Sequence, residues 1–231
     1  MTQRVGAAAT GTSQLVVEKP TVSIIISGPS RTGKTTTAGE LADRYGIPNI
    51  KIGEEFRRAY GIHTSHFVPR DPAFDKKMDD FQADKIRNAT PGYPFILEGR
   101  LAAFLASEER ARRALPVVTV LFWAPEEVRM ERQLRKVRRD HPESTVTLED
   151  LLLGEREREA QDLALWQMVH PELDDKNVFD PELTDPAGRP VYDLVLDTRI
   201  GMPGAVAMYV HQWLLANGFI ATTDVPRMEP V

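Results

Sequence analysis

The chain has 231 residues, of which 42% are hydrophobic and 27% are charged, and its formal net charge is -5. This length and composition indicate one α/β domain with a full core, and the absence of cysteine excludes disulfides and agrees with a cytoplasmic location. No apolar run is long enough to cross a membrane and the charge is negative, so we expect neither a membrane nor a nucleic acid as partner.

The first twenty residues carry no periodic pattern. They are rich in Ala, Thr, Gly and Ser, and we expect residues 1–20 to be a flexible N-terminal extension. The domain is expected to occupy residues 21–218, and residues 219–231 are expected to form a loose C-terminal tail.

A phosphate-binding loop is the strongest motif of the chain. Residues 22–26 are apolar and mostly β-branched, which predicts a buried strand. The strand leads directly into the pattern Gly28-x-x-x-x-Gly33-Lys34-Thr35, and a helical pattern follows up to Tyr45. In such a loop, successive backbone N–H groups surround phosphate oxygens, the lysine bridges the β- and γ-phosphates, and the threonine hydroxyl contacts Mg²⁺. The predicted nucleotide-binding residues are Gly28, Ser30, Arg31, Thr32, Gly33, Lys34, Thr35 and Thr36, and the predicted cofactors are ATP and Mg²⁺.

Strand and helix patterns alternate along the rest of the chain. Further strands are predicted over residues 47–52, 94–97, 117–123 and 191–196. Helices are predicted over residues 53–60, from Asp71 onward, over 126–139, from 147 to about 166, and over 204–216. Five strands that alternate with helices predict a five-stranded parallel sheet with helices on both faces. Residues 170–190 are rich in Pro, Asp and Gly, and we expect an irregular connection there.

A second candidate site follows the predicted strand over residues 94–97. The tripeptide Glu98-Gly99-Arg100 lies where the carboxyl end of a central strand would face the ligand crevice of an α/β sheet. His63 and His66, three residues apart, are interpreted as polar loop residues rather than as metal ligands.

Two predicted helices carry polar or charged residues whose role the pattern leaves open. Asp75, Asp79 and Gln82 share one side of the helix that starts at Asp71, where solvated surface is the ordinary interpretation. The helix over residues 126–139 is strongly basic. Its arginines form either a solvated face or a mobile group that reaches a triphosphate.

These segments together resemble the nucleoside monophosphate kinases of the phosphate-loop class, and within them the cytidylate kinases, especially the shorter archaeal-type form. The stretches that carry the resemblance are residues 26–36, 52–57, 71–79, 97–102, 124–129, 156–159 and 192–198, in the order of the family. The most particular are Leu97-Glu-Gly-Arg-Leu-Ala102 and the pattern Asp-Pro-x-x-Asp-x-x-x-Asp that starts at residue 71.

The resemblance implies residues for the acceptor and the metal. Arg57, Arg100 and Arg158 are expected in the acceptor site, where planar guanidinium groups suit the phosphate of a monophosphate. Glu98 is expected near Mg²⁺, together with Thr35. The resemblance further places Asp75, Asp79 and Gln82 beside the acceptor base.

It also implies how the donor is covered. Arg132 is expected on a lid helix above the donor phosphates, and Thr198 at the loop near the donor adenine. Lys34, Arg100 and Arg132 are then the residues expected to act in catalysis. The mobile regions are expected at about residues 52–90 for acceptor binding and about 126–190 for the lid and the long connection.

The implied function is ATP-dependent phosphorylation of a nucleoside monophosphate, CMP or dCMP, to the diphosphate by a monomer or homodimer. Two alternatives are a phosphate-loop kinase of another small acceptor (a different nucleotide, a nucleoside or a metabolite) and a nucleotide-binding switch without kinase activity. The chain differs from the family pattern at Arg31, where a glycine is frequent, and at Leu165, where a basic residue is usual. Its connection over residues 170–190 is longer than the family's.

Overall fold

A five-stranded parallel sheet forms the centre of the fold. The computed structural model describes residues 14–17, 19–61, 72–173, 176–220 and 222–225, so His63, His66 and Asp71 lie outside the described residues. The described strands are β1 (Gln14–Val17), β2 (Ser23–Ser27), β3 (Asn49–Lys51), β4 (Ile96–Glu98), β5 (Val117–Trp123), β6 (Leu194–Asp197) and β7 (Thr222–Val225). The central sheet has the order β3-β4-β2-β5-β6 with every pairing parallel, which confirms the predicted fold class.

Helices cover both faces of this sheet. The described helices are α1 (Lys34–Tyr45), α2 (Ile52–Ala59), α3 (Pro72–Arg87), α4 (Ala102–Arg112), α5 (Glu126–Asp140), α6 (Leu148–Val169) and α7 (Pro203–Ala216). Along β2, Ile24 and Ile26 pack with α1 and α7, whereas Ile25 packs with α4 on the opposite face. All three side chains are fully buried, as expected for a central strand of a parallel sheet. Among the described helices, none combines the length and the apolar character that a bilayer span requires.

Helix α4 was absent from the sequence prediction. The helix packs against α3 and against strands β2 and β5. Its residues 102–107 are all buried, so this stretch has no exposed polar face opposite a buried apolar face. A helix that is apolar all round gives no amphipathic period, which is why periodicity alone could not identify it.

A small antiparallel sheet differs from the expected loose termini. Strand β1 pairs with β7, with Gln14 opposite Val225 and Val17 opposite Thr222. Both stretches are four residues long and rich in β-branched residues, which favours strand but is too short for a periodic signal. The remaining parts of the predicted extension and tail, residues 1–13, 18, 221 and 226–231, lie outside the described residues.

The connection over residues 170–190 is irregular, as predicted, yet it contributes to the core. Its described residues form a short 3₁₀ turn, Pro171–Leu173, and an isolated bridge between Thr184 and Pro190. Leu173, Val178 and Leu183 are buried in the apolar cluster that includes α4. The long connection therefore packs onto the domain through its apolar side chains.

The glycine that begins the phosphate loop offers a stability test. Gly28 has a φ of 143°, and a Cβ at this position would overlap the backbone oxygen of Phe122. We expect Gly28→Ala to lower the free energy of unfolding by about 2–4 kcal/mol, because it combines backbone strain with overlap in the core. Unfolding in urea, followed by circular dichroism, measures this change.

Gly39 provides the matched control. It lies within α1, and nothing would come within 4 Å of a Cβ added there. Gly39→Ala should therefore stabilise the protein by up to about 1 kcal/mol through helix propensity. Equal unfolding midpoints for the two variants would contradict the assigned role of Gly28.

Candidate active site

The phosphate loop lies at the carboxyl edge of β2, between the ends of β4 and β5. Gly28 passes against the Phe122 carbonyl, and Gly33 has a φ of 90° directly before α1. Arg31 has a φ of 64°, and no other non-glycine residue among those described has a positive φ. This left-handed conformation costs a side-chain-bearing residue roughly 1–2 kcal/mol. Glycine would adopt this conformation without that cost.

The other predicted loop residues make contacts within the site. The Thr32 hydroxyl is buried and donates to the Pro29 carbonyl over 3.0 Å. The Ser30 hydroxyl accepts a hydrogen bond of 3.0 Å from Arg158. Thr36 is exposed in the first turn of α1. The loop is therefore held by its own side chains and by a residue of α6.

Lys34 is held inside the loop. Its Nζ donates to the carbonyl oxygens of Gly28 and Pro29, over 2.8 and 2.7 Å. Burial lowers the pKa of Lys34 to about 8; the negative Glu98 opposes this shift and the positive Arg158 adds to it. A buried ammonium group with only carbonyl partners is poised to exchange them for phosphate oxygens.

Thr35 and Glu98, the two residues predicted to bind a metal, are in direct contact. The Thr35 hydroxyl donates to Glu98 Oε2 over 2.9 Å. Burial raises the pKa of Glu98, while the hydrogen bond from Thr35 and the charge of Lys34 lower it. A hydroxyl oxygen and a carboxylate oxygen thus lie side by side at the end of β4, next to the lysine.

A cavity of about 770 Å³ extends from the phosphate loop towards α2, α3 and α6. Lys34, Thr35 and Glu98 line its donor side. The residues predicted for the acceptor all line the same cavity: Arg57, Asp75, Asp79, Gln82, Arg100 and Arg158. The structure therefore brings Lys34, Thr35 and Glu98 to the same space as the residues predicted for the acceptor, whereas Arg132 and Thr198 do not line this cavity.

The two predicted phosphate-binding arginines differ in their surroundings. Arg57 is half-buried on α2 and makes no ion pair with any residue that the structure describes. The Arg100 guanidinium forms an ion pair with Asp162 and lies 4.0 Å from Glu159, both on α6. Its side chain is 17% exposed and still borders the cavity.

The base-side residues form a buried polar group. Asp79 is 3% exposed and accepts hydrogen bonds from Gln82 Nε2, over 3.2 Å, and from the His170 ring, over 3.0 Å. Burial raises the pKa of Asp79, and its hydrogen bond with His170 partly offsets this. A Cβ on Gly99 would overlap the side-chain oxygen of Gln82. The glycine of Glu98-Gly99-Arg100 thus gives Gln82 room at the cavity.

Arg132 connects the phosphate loop with the turn that follows β6. Its guanidinium donates to the Arg31 carbonyl over 3.2 Å, and to the hydroxyl and carbonyl of Thr198 over 3.0 and 2.8 Å. Thr198 is buried, and its hydroxyl also donates to the Trp123 carbonyl. Its side chain is thus engaged by protein groups, and a role for Thr198 near the adenine stays a prediction.

The sequence prediction missed three residues that shape the site. Arg129 is 4% exposed and forms ion pairs with Glu155 and Glu159, over 3.0 and 3.1 Å. Asp162 lies four residues after Arg158, a spacing that places both on one helix face and could have identified it. The contact of His170 with Asp79 spans 91 residues, so no local pattern could reveal it.

Comparison with known proteins identifies the family of this chain. Residues 27–149 match the model of a family described as an AAA domain. The chain is 32% identical over 186 residues to the cytidylate kinase of Methanopyrus kandleri, covering 77% of this chain and 84% of that relative. It is 33% identical over 164 residues to the cytidylate kinase of Methanothermobacter thermautotrophicus, covering 68% of this chain and 91% of that relative.

Solved structures show the same fold at low sequence identity. Shikimate kinase from Acinetobacter baumannii in complex with shikimate aligns with a TM-score of 0.55 at 18% identity, covering 85% of this chain and 94% of that chain. Its similarity concerns the fold alone, whereas the relatives in sequence confirm the resemblance derived from the motifs. This chain belongs to the phosphate-loop kinase family that includes the archaeal cytidylate kinases.

Proposed function

We propose that the enzyme transfers the γ-phosphoryl group of ATP to CMP or dCMP and releases ADP and the cytidine diphosphate. One observation carries this proposal: a single cavity is lined by Lys34 of the phosphate loop and by Arg57, Arg100 and Arg158. Two phosphate groups bound there would face each other. The cytidylate kinase relatives support cytosine as the acceptor base. The acceptor region at about residues 52–90 and the lid at about 126–190 belong to this proposal.

Transfer at this site rests on position and charge. An oxygen of the acceptor phosphate forms a bond to the γ-phosphorus while the bond from that phosphorus to the β-bridging oxygen breaks. Phosphoryl transfer to such an acceptor needs alignment and neutralisation of charge rather than a separate base. Lys34 would exchange its two carbonyl partners for donor oxygens, and Arg57 and Arg100 would orient the acceptor phosphate in line.

The residues at the end of β4 fit Mg²⁺. Thr35 and Glu98 offer oxygen ligands 2.9 Å apart, and Mg²⁺ prefers oxygen ligands while keeping several waters. These two residues would hold the ion, directly or through water. When bound, Mg²⁺ neutralises charge on the donor phosphates.

The polar group on α3 suits a cytosine ring. Cytosine presents an exocyclic amino donor next to ring acceptors, whereas uracil presents a carbonyl at the corresponding position. The Asp79 carboxylate can accept from an amino group, and the neighbouring Gln82 amide can donate or accept. This arrangement favours cytosine over uracil at the acceptor site.

A panel of acceptors tests the proposed function. With ATP and Mg²⁺, we expect CMP and dCMP to give kcat/KM values at least about 10-fold above UMP, since the wrong base leaves buried polar groups unpaired. Release of ADP, measured in a coupled assay, compares CMP, dCMP, UMP, AMP, GMP and small hydroxylated metabolites. A preference for another base would contradict the cytosine assignment, and ATP turnover that no acceptor stimulates would contradict the kinase.

Comparing variants of Arg57 and of its neighbour Arg58 distinguishes a specific phosphate contact from a general effect of positive charge. Arg57 lines the cavity, while Arg58 is exposed and does not line it. We expect Arg57→Ala to raise the KM of the acceptor about 10- to 100-fold, because charge-assisted hydrogen bonds to its phosphate are lost. The KM of ATP should change little. Arg58→Ala should leave both constants close to those of the wild type. Steady-state kinetics with each substrate varied in turn measures both KM values. Equal changes in the KM of the acceptor and of ATP for Arg57→Ala would reject the assignment.

The lowered pKa of Lys34 predicts a pH dependence of donor binding. Since only the ammonium form attracts phosphate and its pKa is about 8 before the donor binds, affinity for ATP should be near its maximum at pH 7. It should fall about tenfold between pH 7.5 and pH 9, because deprotonation competes with binding. Isothermal titration calorimetry with Mg²⁺-ATP across this range measures the change.

Lys34→Arg is the control for this titration. A guanidinium group stays charged in this range, so the variant's affinity for ATP should vary little from pH 7.5 to pH 9, whatever its absolute value. A wild-type affinity that is independent of pH would show that Lys34 does not titrate there.

A further inference from the structure

The guanidinium group of Arg100 lies against two aromatic rings that come from different parts of the chain and contact each other. Its central carbon is 5.4 Å from the ring centre of Trp166 on α6 and 5.3 Å from that of Phe179 in the long connection. The two rings are nearly perpendicular, at 86°, with their centres 5.9 Å apart. Both are buried. We call this arrangement of Trp166 and Phe179 the aromatic clamp.

A carboxylate completes the surroundings of Arg100. One terminal nitrogen of the guanidinium forms an ion pair with Asp162, whose side chain is 8% exposed. The aromatic clamp contacts the guanidinium group through cation–π interactions, and Asp162 contacts one of its nitrogens through an ion pair. Before any phosphate arrives, the orientation of Arg100 is thus already restricted.

The position of Phe179 is itself fixed by the connection. Its backbone N–H donates to Asn177 Oδ1 over 2.9 Å, and the carbonyl of Val178 accepts a hydrogen bond from the Tyr192 hydroxyl. Val178 and Leu183 are buried in the core on either side of this point. The connection therefore presents one ring to Arg100 from an anchored backbone.

We propose that Phe179 is a positioning residue for the kinase reaction, and that the long connection supports the acceptor site by holding Arg100. The proposal rests on the proposed function, because it requires that Arg100 binds the acceptor phosphate. An arginine side chain loses much conformational freedom when it is fixed on a ligand, so fixing it beforehand strengthens binding. Phe179 would act on the acceptor only through Arg100, without touching the substrate.

A purely structural role for Phe179 predicts different behaviour. If the ring only fills space, a leucine of similar volume should lower stability slightly and leave the kinetic constants unchanged. If the ring electrons hold the guanidinium, the same leucine should weaken acceptor binding, because the attraction between cation and ring is lost. Phe179→Leu and Phe179→Tyr therefore form a matched pair, one without and one with an aromatic ring.

The experiment measures kcat and both KM values for Phe179→Leu, Phe179→Tyr, Arg100→Ala and the double variant Phe179→Leu/Arg100→Ala, with the best monophosphate acceptor of the panel. Phe179→Leu should raise the acceptor KM about 3- to 30-fold with little change in the ATP KM. Phe179→Tyr should remain within about twofold of the wild type. In the Arg100→Ala background, Phe179→Leu should add no further effect on the acceptor, since both changes act on one contact.

Leu183→Val controls for general loosening of the connection. Leu183 is buried in the same segment without being part of the clamp, so this change should lower the melting temperature and leave the acceptor KM unchanged. Equal acceptor KM values for wild type and Phe179→Leu, or additive effects of Phe179→Leu and Arg100→Ala, would overturn the proposal. Failure of the proposed function would instead appear as wild-type protein that no monophosphate stimulates, before any variant is compared.

Discussion

Positive charge concentrated around one cavity is the constraint on which the rest of this structure depends. A site for two anionic substrates needs several cations close together, and these cations repel each other when the phosphates are absent. The structure balances them with its own oxygens. Lys34 is held by two loop carbonyls, and the buried Arg129 is held by Glu155 and Glu159. Leaving such groups without partners would cost several kcal/mol for each buried ion.

Helix α6 provides most of this counter-charge. Glu155, Glu159 and Asp162 follow one another by four and three residues, so they share one face of the helix. This face contacts Arg129 from α5 and Arg100 from the end of β4. If Arg100 binds the acceptor phosphate, as proposed, that phosphate competes with Asp162 for the same guanidinium. Acceptor binding and the placement of α6 would then be linked, because one ion pair is exchanged for another.

What could be predicted from the sequence depends on how far apart along the chain the residues of each feature lie. The strand, loop and helix around Lys34 are contiguous, so their residues could be read from one short stretch. Helix α4 was missed because its first half is buried on all sides and has no polar face. The contacts of Arg100 with Trp166 and Phe179 join three separate segments. A resemblance could indicate that Arg100 binds a phosphate, but no local spacing could indicate what holds it.

The pairing of β2 with β4 explains why the two halves of the site lie so close together. In this register Ile26 is opposite Glu98, so the phosphate loop and Glu98-Gly99-Arg100 leave the sheet side by side. Strand β5 pairs on the other edge of β2, and the divergence of the connections opens a crevice at the carboxyl ends of these strands. Thr35 reaches Glu98 as a direct result, and Arg100 follows Glu98 by only two residues. The separation between Lys34 and Arg100 is therefore set by the pairing of two adjacent strands. Side chains of α6 and of the long connection then orient Arg100 on that frame.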